Sequence, residues 1–303
     1  MIAEVIATYG RHLLLRDAAG TLQDARPFGR SLEIVCGDRV HCELHGTELL
    51  VTAALPRTSL FRRSALRGQS EPLAANLSQL AVVIAPLPVP DLFLLDRYLS
   101  SAESLGLTAL IVLNKSDLPG AAALRESLNN YEALGYETIA VSVASDEAVL
   151  PLMDALRDEL TILVGQSGVG KSSLTRLVTS EDCEIAVGGL MREEEGRHTT
   201  TASRIYVCRR GGRIIDTPGV RDFAPAIDDL EPATLGFREV ARLAPQCRFL
   251  DCRHMQEPDC AVREAVATGA MDERRYESYR RLRRLFEQLW QRRSESARAA
   301  RRR

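Results

Sequence analysis

Gly165-Gln166-Ser167-Gly168-Val169-Gly170-Lys171-Ser172, followed by Ser173, fits the pattern G-x-x-x-x-G-K-[ST] and can cradle a chain of phosphates. Its glycines let backbone N–H groups curl around phosphate oxygens, and the helix start that follows adds a favourable dipole. Lys171 is placed to reach the β- and γ-phosphates, and the Ser172 hydroxyl to ligate Mg2+. A second set, Asn114-Lys115-Ser116-Asp117, suits a guanine base. A carboxylate offers only acceptors, and guanine presents two donors, N1–H and the 2-amino group. Adenine lacks both and would leave Asp117 unpaired and desolvated. Asn114 and Lys115 are expected to brace the base and the phosphate loop. Ser142-Val143-Ala144 is a looser match to a segment giving backbone contacts to the base.

Asp216-Thr217-Pro218-Gly219 supplies a carboxylate for the Mg2+ shell and, at Gly219, an amide for the γ-phosphate. Gly196-Arg197-His198-Thr199-Thr200-Thr201 reads as a switch. One of its threonines, with Thr200 taken as the candidate, is expected to join the metal shell when GTP is bound. Val220 follows Gly219 where Ras-like enzymes carry a water-orienting Gln, so His198 is the catalytic candidate; a solvent-exposed loop histidine is the alternative. The order is the most informative feature. An ordinary GTPase meets its phosphate loop first and its guanine motif last, whereas here the guanine motif comes first. The chain reads as a circularly permuted GTPase.

Cys247, Cys252, His254 and Cys260 gather three thiols and an imidazole in fourteen residues. That donor set suits one closed, structural Zn2+ site. Cys36, Cys42, Cys183 and Cys208 read as packing residues.

These groups need a scaffold. The apolar runs Leu80–Ala85, Ala109–Leu113, Thr138–Val141, Thr161–Val164 and Ile214-Ile215 predict a largely parallel sheet. Helical stretches at Asp91–Leu105 and Ala121–Leu134 make this an α/β P-loop domain, assigned to residues 68–225. Before it, residues 1–67 show five short β-like segments, Val5–Ala7, Leu13–Leu15, Leu32–Val35, Val40–Leu44 and Leu49–Val51, separated by turn signals. They predict a small antiparallel barrel, with an OB-fold β-barrel as the leading candidate and a small sheet without a ligand as the alternative; RNA binding is expected of this part. Arg57 to Pro72, with Arg57, Arg62, Arg63 and Arg67, reads as a basic, mobile linker. Residues 226–303 are expected to form a mostly helical zinc-binding domain with a basic tail. There Tyr276, Tyr279, Leu282, Phe286, Leu289 and Trp290 make an apolar stripe, with arginine faces free for phosphate contacts.

Composition agrees with a soluble protein: 45% of the 303 residues are hydrophobic and 26% charged. The N-terminus lacks the pattern of a signal peptide, and the apolar stretch Leu80–Pro90 is too short to span a bilayer. A cytoplasmic protein without membrane contact is expected, its seven cysteines not forming a disulfide framework. The net charge of −2 hides twelve arginines against five acidic residues from Met271 to Arg303. A basic end on an acidic body points to a nucleic-acid partner, with a solvated helix face and tail as the alternative.

On Asn114–Asp117, Gly165–Ser173, Gly196–Thr201, Asp216–Gly219 and the set Cys247, Cys252, His254, Cys260, the chain resembles the RsgA (YjeQ) family of circularly permuted GTPases. Cys36-Gly37-Asp38-Arg39-Val40 is similar to a stretch of that family's OB domain, so the resemblance covers essentially the whole chain. It implies a multi-domain protein that binds GTP or GDP with Mg2+ and one structural Zn2+. It also implies a monomer that binds the small ribosomal subunit and its rRNA, assists late maturation, and hydrolyses GTP with stimulation by the subunit. An apolar residue at Val220 and a switch histidine at His198 fit the family. Two readings compete with this one: an RNA-binding scaffold in which GTP is mainly structural, and a permuted GTPase serving the large subunit.

Overall fold

In the computed structural model, which describes residues 1–29, 31–64, 70–144, 147–180, 203–217 and 226–301, five strands open the chain. They are β1 (Ile2–Tyr9), β2 (His12–Asp17), β3 (Leu22–Pro27), β4 (Arg39–His45) and β5 (Glu48–Ala54). Pairing runs β1-β2-β3-β5-β4 and returns from β4 to β1, with β3 and β5 parallel, so the sheet closes into an OB barrel. Alternate side chains point inward. Ala3, Val5, Leu13, Leu15, Ala25, Val40, Cys42, Leu49 and Val51 fill the interior.

The expected strand at Leu32–Val35 is not one; the third strand is Leu22–Pro27. Val35 and Cys36 are buried all the same, in a loop pinned by Asp38, whose carboxylate accepts from the Val35 N–H at 2.9 Å. Nor is Arg57–Pro72 a mobile linker in its described residues. β6 (Leu60–Ser64) and β7 (Ser70–Ala75) pair as an antiparallel hairpin. Arg57 grips the buried Asp38 with two bonds of 2.6 and 2.8 Å, Arg62 pairs with Asp229, and Arg63 with Glu71.

The central elements are β8 (Gln79–Ile84), α1 (Leu92–Leu105), β9 (Thr108–Leu113), α2 (Ala121–Ser127), α3 (Asn129–Ala133), β10 (Glu137–Ala140), α4 (Leu150–Ala155), β11 (Leu160–Val164), α5 (Lys171–Val178), β12 (Ser203–Val207) and β13 (Arg213–Asp216). The sheet order is β10-β9-β8-β11-β13-β12, parallel except for β12, and β12 continues onto β1 of the barrel. β8 shows why its sequence is apolar without a break. Leu80, Val82 and Ile84 face one core with Leu94, Leu95, Tyr98 and Leu99 of α1; Ala81 and Val83 face the other with Met153 and Leu174. The single helix expected over Ala121–Leu134 is two short ones, α2 and α3.

The C-terminal part holds α6 (Arg238–Leu243), α7 (Ala261–Ala267) and α8 (Glu273–Arg301). Tyr279, Leu282, Phe286 and Leu289 of α8 pack with Phe237, Val240 and Val262. Trp290 is half exposed and stacks on Phe286. The arginine faces are not free as expected. Arg275 and Arg283 are buried, Arg274 binds Asp96 at 2.8 Å, Arg280 and Arg284 pair with Glu277, and Arg281 lies over the Phe93 ring. Among the described residues, no helix is long and apolar enough to cross a membrane.

Candidate nucleotide site and metal centre

β11 is buried between β8 and β13 and delivers the phosphate loop at its carboxyl end. Two glycines there are obligatory. At Gly165 (φ +135°) a Cβ would stand 2.1 Å from the Val83 carbonyl oxygen, and at Gly170 (φ +97°) it would strike Asn114 Nδ2 at 2.3 Å. α5 begins at Lys171, whose Nζ curls back to donate to the carbonyls of Gly165 and Gln166 at 2.7 and 2.8 Å. Ser172 and Ser173 occupy the first turn of α5, and Ser167 and Gly168 the loop apex.

β9 delivers the guanine tetrad beside this loop. Asn114 is buried and donates from Nδ2 to the Val169 carbonyl at 2.8 Å. Lys115 Nζ donates to the carbonyls of Gly168 and Leu87, both at 2.8 Å. The two motifs are thus locked together. The Ser116 N–H bonds the Val141 carbonyl at 3.1 Å, which turns the exposed Asp117 carboxylate outward. Asp117 accepts from the Ser142 hydroxyl, itself held by the Ala144 N–H at 3.1 Å. That hydroxyl, with Asp117's own amide, holds the carboxyl below its usual range, so it remains an acceptor.

Asp216 ends β13. Desolvation raises its pKa, and the Lys171 ammonium opposes that shift. A hydroxyl on Ser172 and a carboxylate on Asp216 are hard oxygen donors of the kind Mg2+ takes. His198, Thr199, Thr200, Thr201, Gly219 and Val220 lie outside the described residues, as does Cys183.

The four ligand atoms of Cys247, Cys252, His254 and Cys260 lie within 4.8 Å of one another. Cys247 Sγ and Cys260 Sγ are 3.9 Å apart, and each is 3.5 Å from His254 Nδ1. A tetrahedral ion with metal–sulfur bonds of about 2.3 Å needs edges of about 3.8 Å, so the cluster fits one closed metal site. Burial pushes the Cys252 thiol up to about 12; a bound cation would reverse this by taking the thiolate. Burial and Arg283 lower His254, leaving the neutral imidazole that ligates. His254 has a left-handed backbone, φ +58°. Tyr276 and Tyr279 hold its loop by donating to the His254 and Arg253 carbonyls at 2.8 and 2.9 Å. Glu257 accepts from the N–H groups of Arg253, Met255 and Gln256 at 2.8 to 3.0 Å.

A profile of the family described as RsgA GTPase matches residues 54–225. The small ribosomal subunit biogenesis GTPase RsgA 1 of Vibrio vulnificus (strain YJ016) is 39% identical over 288 residues, covering 92% of this chain and 82% of that protein. The Chromohalobacter salexigens RsgA is 40% identical over 291 residues, covering 93% and 85%. The crystal structure of YjeQ from Thermotoga maritima superposes with a TM-score of 0.72 at 27% identity, covering 95% of this chain and 98% of that one. The chain belongs to the RsgA GTPase family.

A second structure, YloQ, described as a circularly permuted GTPase, shares the fold with a TM-score of 0.69 at 22% identity. Membership makes the chain a GTP hydrolase, and the observed order of strands and motifs is the permuted arrangement the sequence predicts. Within this RsgA-type site, the structure brings together the tetrad and the phosphate loop and, separately, the four metal ligands. Ser142 is where the sequence reading was incomplete. Its hydroxyl orients Asp117, whereas a backbone contact to the base was expected. Its position just after β10 is the signal that could have found this role.

Proposed function

We propose that this protein binds the small ribosomal subunit, assists its late maturation, and hydrolyses GTP to GDP and phosphate faster when so bound. The observation that carries the nucleotide part is the interlock of the two motifs through Asn114–Val169 and Lys115–Gly168. The partner is taken from the relatives' names, and the OB barrel gives the chain a fold suited to RNA. In this reading Asp117 accepts from guanine N1–H and the 2-amino group. Lys171 and the loop amides hold the phosphates, with the bonds of Lys171 to Gly165 and Gln166 exchanged for phosphate oxygens. Ser172 and Asp216, joined by Thr200, are the residues that would hold Mg2+, which when bound neutralises charge on the β- and γ-phosphates. Gly219 bonds the γ-phosphate, and His198 orients the attacking water. Cys247, Cys252, His254 and Cys260 hold one structural Zn2+.

The parts divide as residues 1–67 for RNA binding, 68–225 for GTP and 226–303 for zinc, in a monomer working in the cytoplasm. The test is cosedimentation with purified small and large subunits in GDP and in a non-hydrolysable GTP analogue, together with GTP turnover. Binding to small subunits in the analogue, with turnover raised by them, is expected. A rate indifferent to small subunits yet raised by large ones would overturn the assignment of partner.

A further inference from the structure

The seam between the barrel and the nucleotide sheet carries a hydroxyl pair that neither the base nor the phosphates use. β1 pairs antiparallel with β12 through Ala7↔Arg204 and Thr8↔Ser203, and β12 pairs antiparallel with β13 through Arg204↔Asp216. Asp216 therefore shares a rung with Arg204 and, one strand further, with Ala7 of the barrel. Strands lie ~4.8 Å apart, so the barrel backbone stands only about 10 Å from the backbone of the metal-side carboxylate. The next rung starts at Thr8 and Ser203. From Ser203 the Oγ hydroxyl donates to Thr217 Oγ1 at 2.8 Å, with both residues buried.

A second tie crosses the same seam. Glu4 of β1 accepts from Arg213 of β13 with one carboxylate oxygen and from Arg16 of β2 at 2.7 Å with the other. The backbone of Asp216 is thus paired with β12, which the barrel strand β1 borders on its far side, and the side chain that fixes the following residue comes from β12 as well. A buried hydroxyl left without its partner loses more than the bond is worth, since it has no water to turn to. Thr217 would be that hydroxyl if Ser203 lost its own.

We propose that Ser203 is a positioning residue for nucleotide hydrolysis: it holds Thr217, and with it the Asp216 carboxylate, in register with β1, so that occupancy of the barrel reaches the metal side of the nucleotide site through β12. This rests on the reading of the chain as a GTPase stimulated by the small subunit and adds the route and the residue.

The test compares Ser203→Ala and Ser203→Thr in the full chain. Ser203→Ala should lower kcat at least fivefold and raise the Mg2+ concentration that half-saturates mant-GDP binding at least threefold. The mant-GDP Kd at saturating Mg2+ should stay within twofold, because the tetrad and phosphate loop are untouched. The ratio of turnover with and without small subunits should fall at least threefold. Ser203→Thr, which keeps a hydroxyl, should return all three within twofold. If Ser203→Ala does not fold, Ser203→Cys, a weak donor of similar size, takes its place. A lower melting temperature with unchanged kcat and Mg2+ dependence would reduce Ser203 to a structural role and sink the proposal. So would a Ser203→Thr protein as impaired as Ser203→Ala. An unchanged stimulation ratio would remove the route through the barrel. Wild-type protein that small subunits do not stimulate would instead fail the underlying reading, and the two failures are distinct.

Discussion

Replacing Arg275 by Met should destabilise the C-terminal part and loosen its hold on the nucleotide domain. Arg275 donates to Asp96 of α1 at 2.6 Å and, with two nitrogens, to Glu239 of α6 at 2.7 and 2.9 Å. Arg275 and Asp96 are each 1% exposed and Glu239 7%. Asp96 would keep Arg274 at 2.8 Å and the Tyr131 hydroxyl at 2.6 Å, but Glu239 would lose both guanidinium bonds while still buried. Breaking one side of such a pair costs about 3–5 kcal/mol, because a charge is left without compensation. At an m-value of about 2 kcal/mol/M in urea, that moves the midpoint down by roughly 2 M. Trp290 is the one tryptophan and sits on α8, so its fluorescence follows the C-terminal part alone. The companion variant Arg275→Met/Glu239→Leu removes both charges and should recover at least half of the loss, since an apolar replacement of a whole buried pair is close to neutral. A single variant within about 1 kcal/mol of wild type would refute the reasoning, as would a double variant no better than the single.

Asp117→Asn should shift preference from GTP toward XTP, because an amide can donate where the carboxylate only accepts; unchanged selectivity in competition titrations would remove Asp117 from base reading. Cys252→Ser should lose the metal and loosen the C-terminal part, so one zinc per chain by elemental analysis of that variant would refute the ligand set. Glu257→Gln should destabilise the metal loop at pH 7. Desolvation would raise Glu257, but its own amide and those of Met255, Gln256 and Arg253 outweigh that and bring it down from 4.5 to about 2. A depressed carboxylate stabilises above its unfolded pKa, and that contribution is lost as pH falls from 4.5 toward 2. Discounted for partial exposure and screening, the effect is about 1 kcal/mol. The gap between wild type and Glu257→Gln in urea titrations should therefore close over that interval, and a gap constant with pH would be the wrong result.

The chemistry was legible because its residue types admit few alternatives. Gly165 and Gly170 are demanded by contacts of 2.1 and 2.3 Å, and the metal cluster by donor type within fourteen residues. β3 was illegible for the opposite reason. Leu22–Pro27 buries only Ala25 and becomes a strand through its hairpin with β2, whereas the more apolar Leu32–Val35 buries only Val35 and forms no strand. The arginines were misread because their partners are remote. Arg57 finds Asp38 at a separation of 19 residues, Arg62 finds Asp229 at 167, and Arg275 finds Asp96 at 179. Local charge counting sees a basic linker and a basic helix face. Folding turns much of that charge into internal ties.

Those ties give the permutation a mechanical sense. α1 starts beside the phosphate loop, where the Asp91 N–H reaches Gln166 Oε1 at 3.4 Å, and the Asp91 carboxylate caps the helix through the Leu94 N–H at 3.0 Å. Further along the same helix, Asp96 holds Arg274 and Arg275, and the Ser100 hydroxyl bonds the Leu235 carbonyl. One helix thus links the phosphate loop to the metal-bearing part. Within the sheet, β12 joins the Asp216 strand, β13, to β1 of the barrel. With the guanine motif ahead of the phosphate loop, β13 is the last strand of the sheet among the described residues, and the next helix in the chain, α6, belongs to the C-terminal part. The Asp216 strand is thus joined to the barrel by a β-ladder, and the nucleotide domain to the metal-bearing part by the side-chain contacts of α1. Weakening Arg275 should loosen the second connection without touching the first, which is why its effect belongs in Trp290 fluorescence and not in nucleotide affinity.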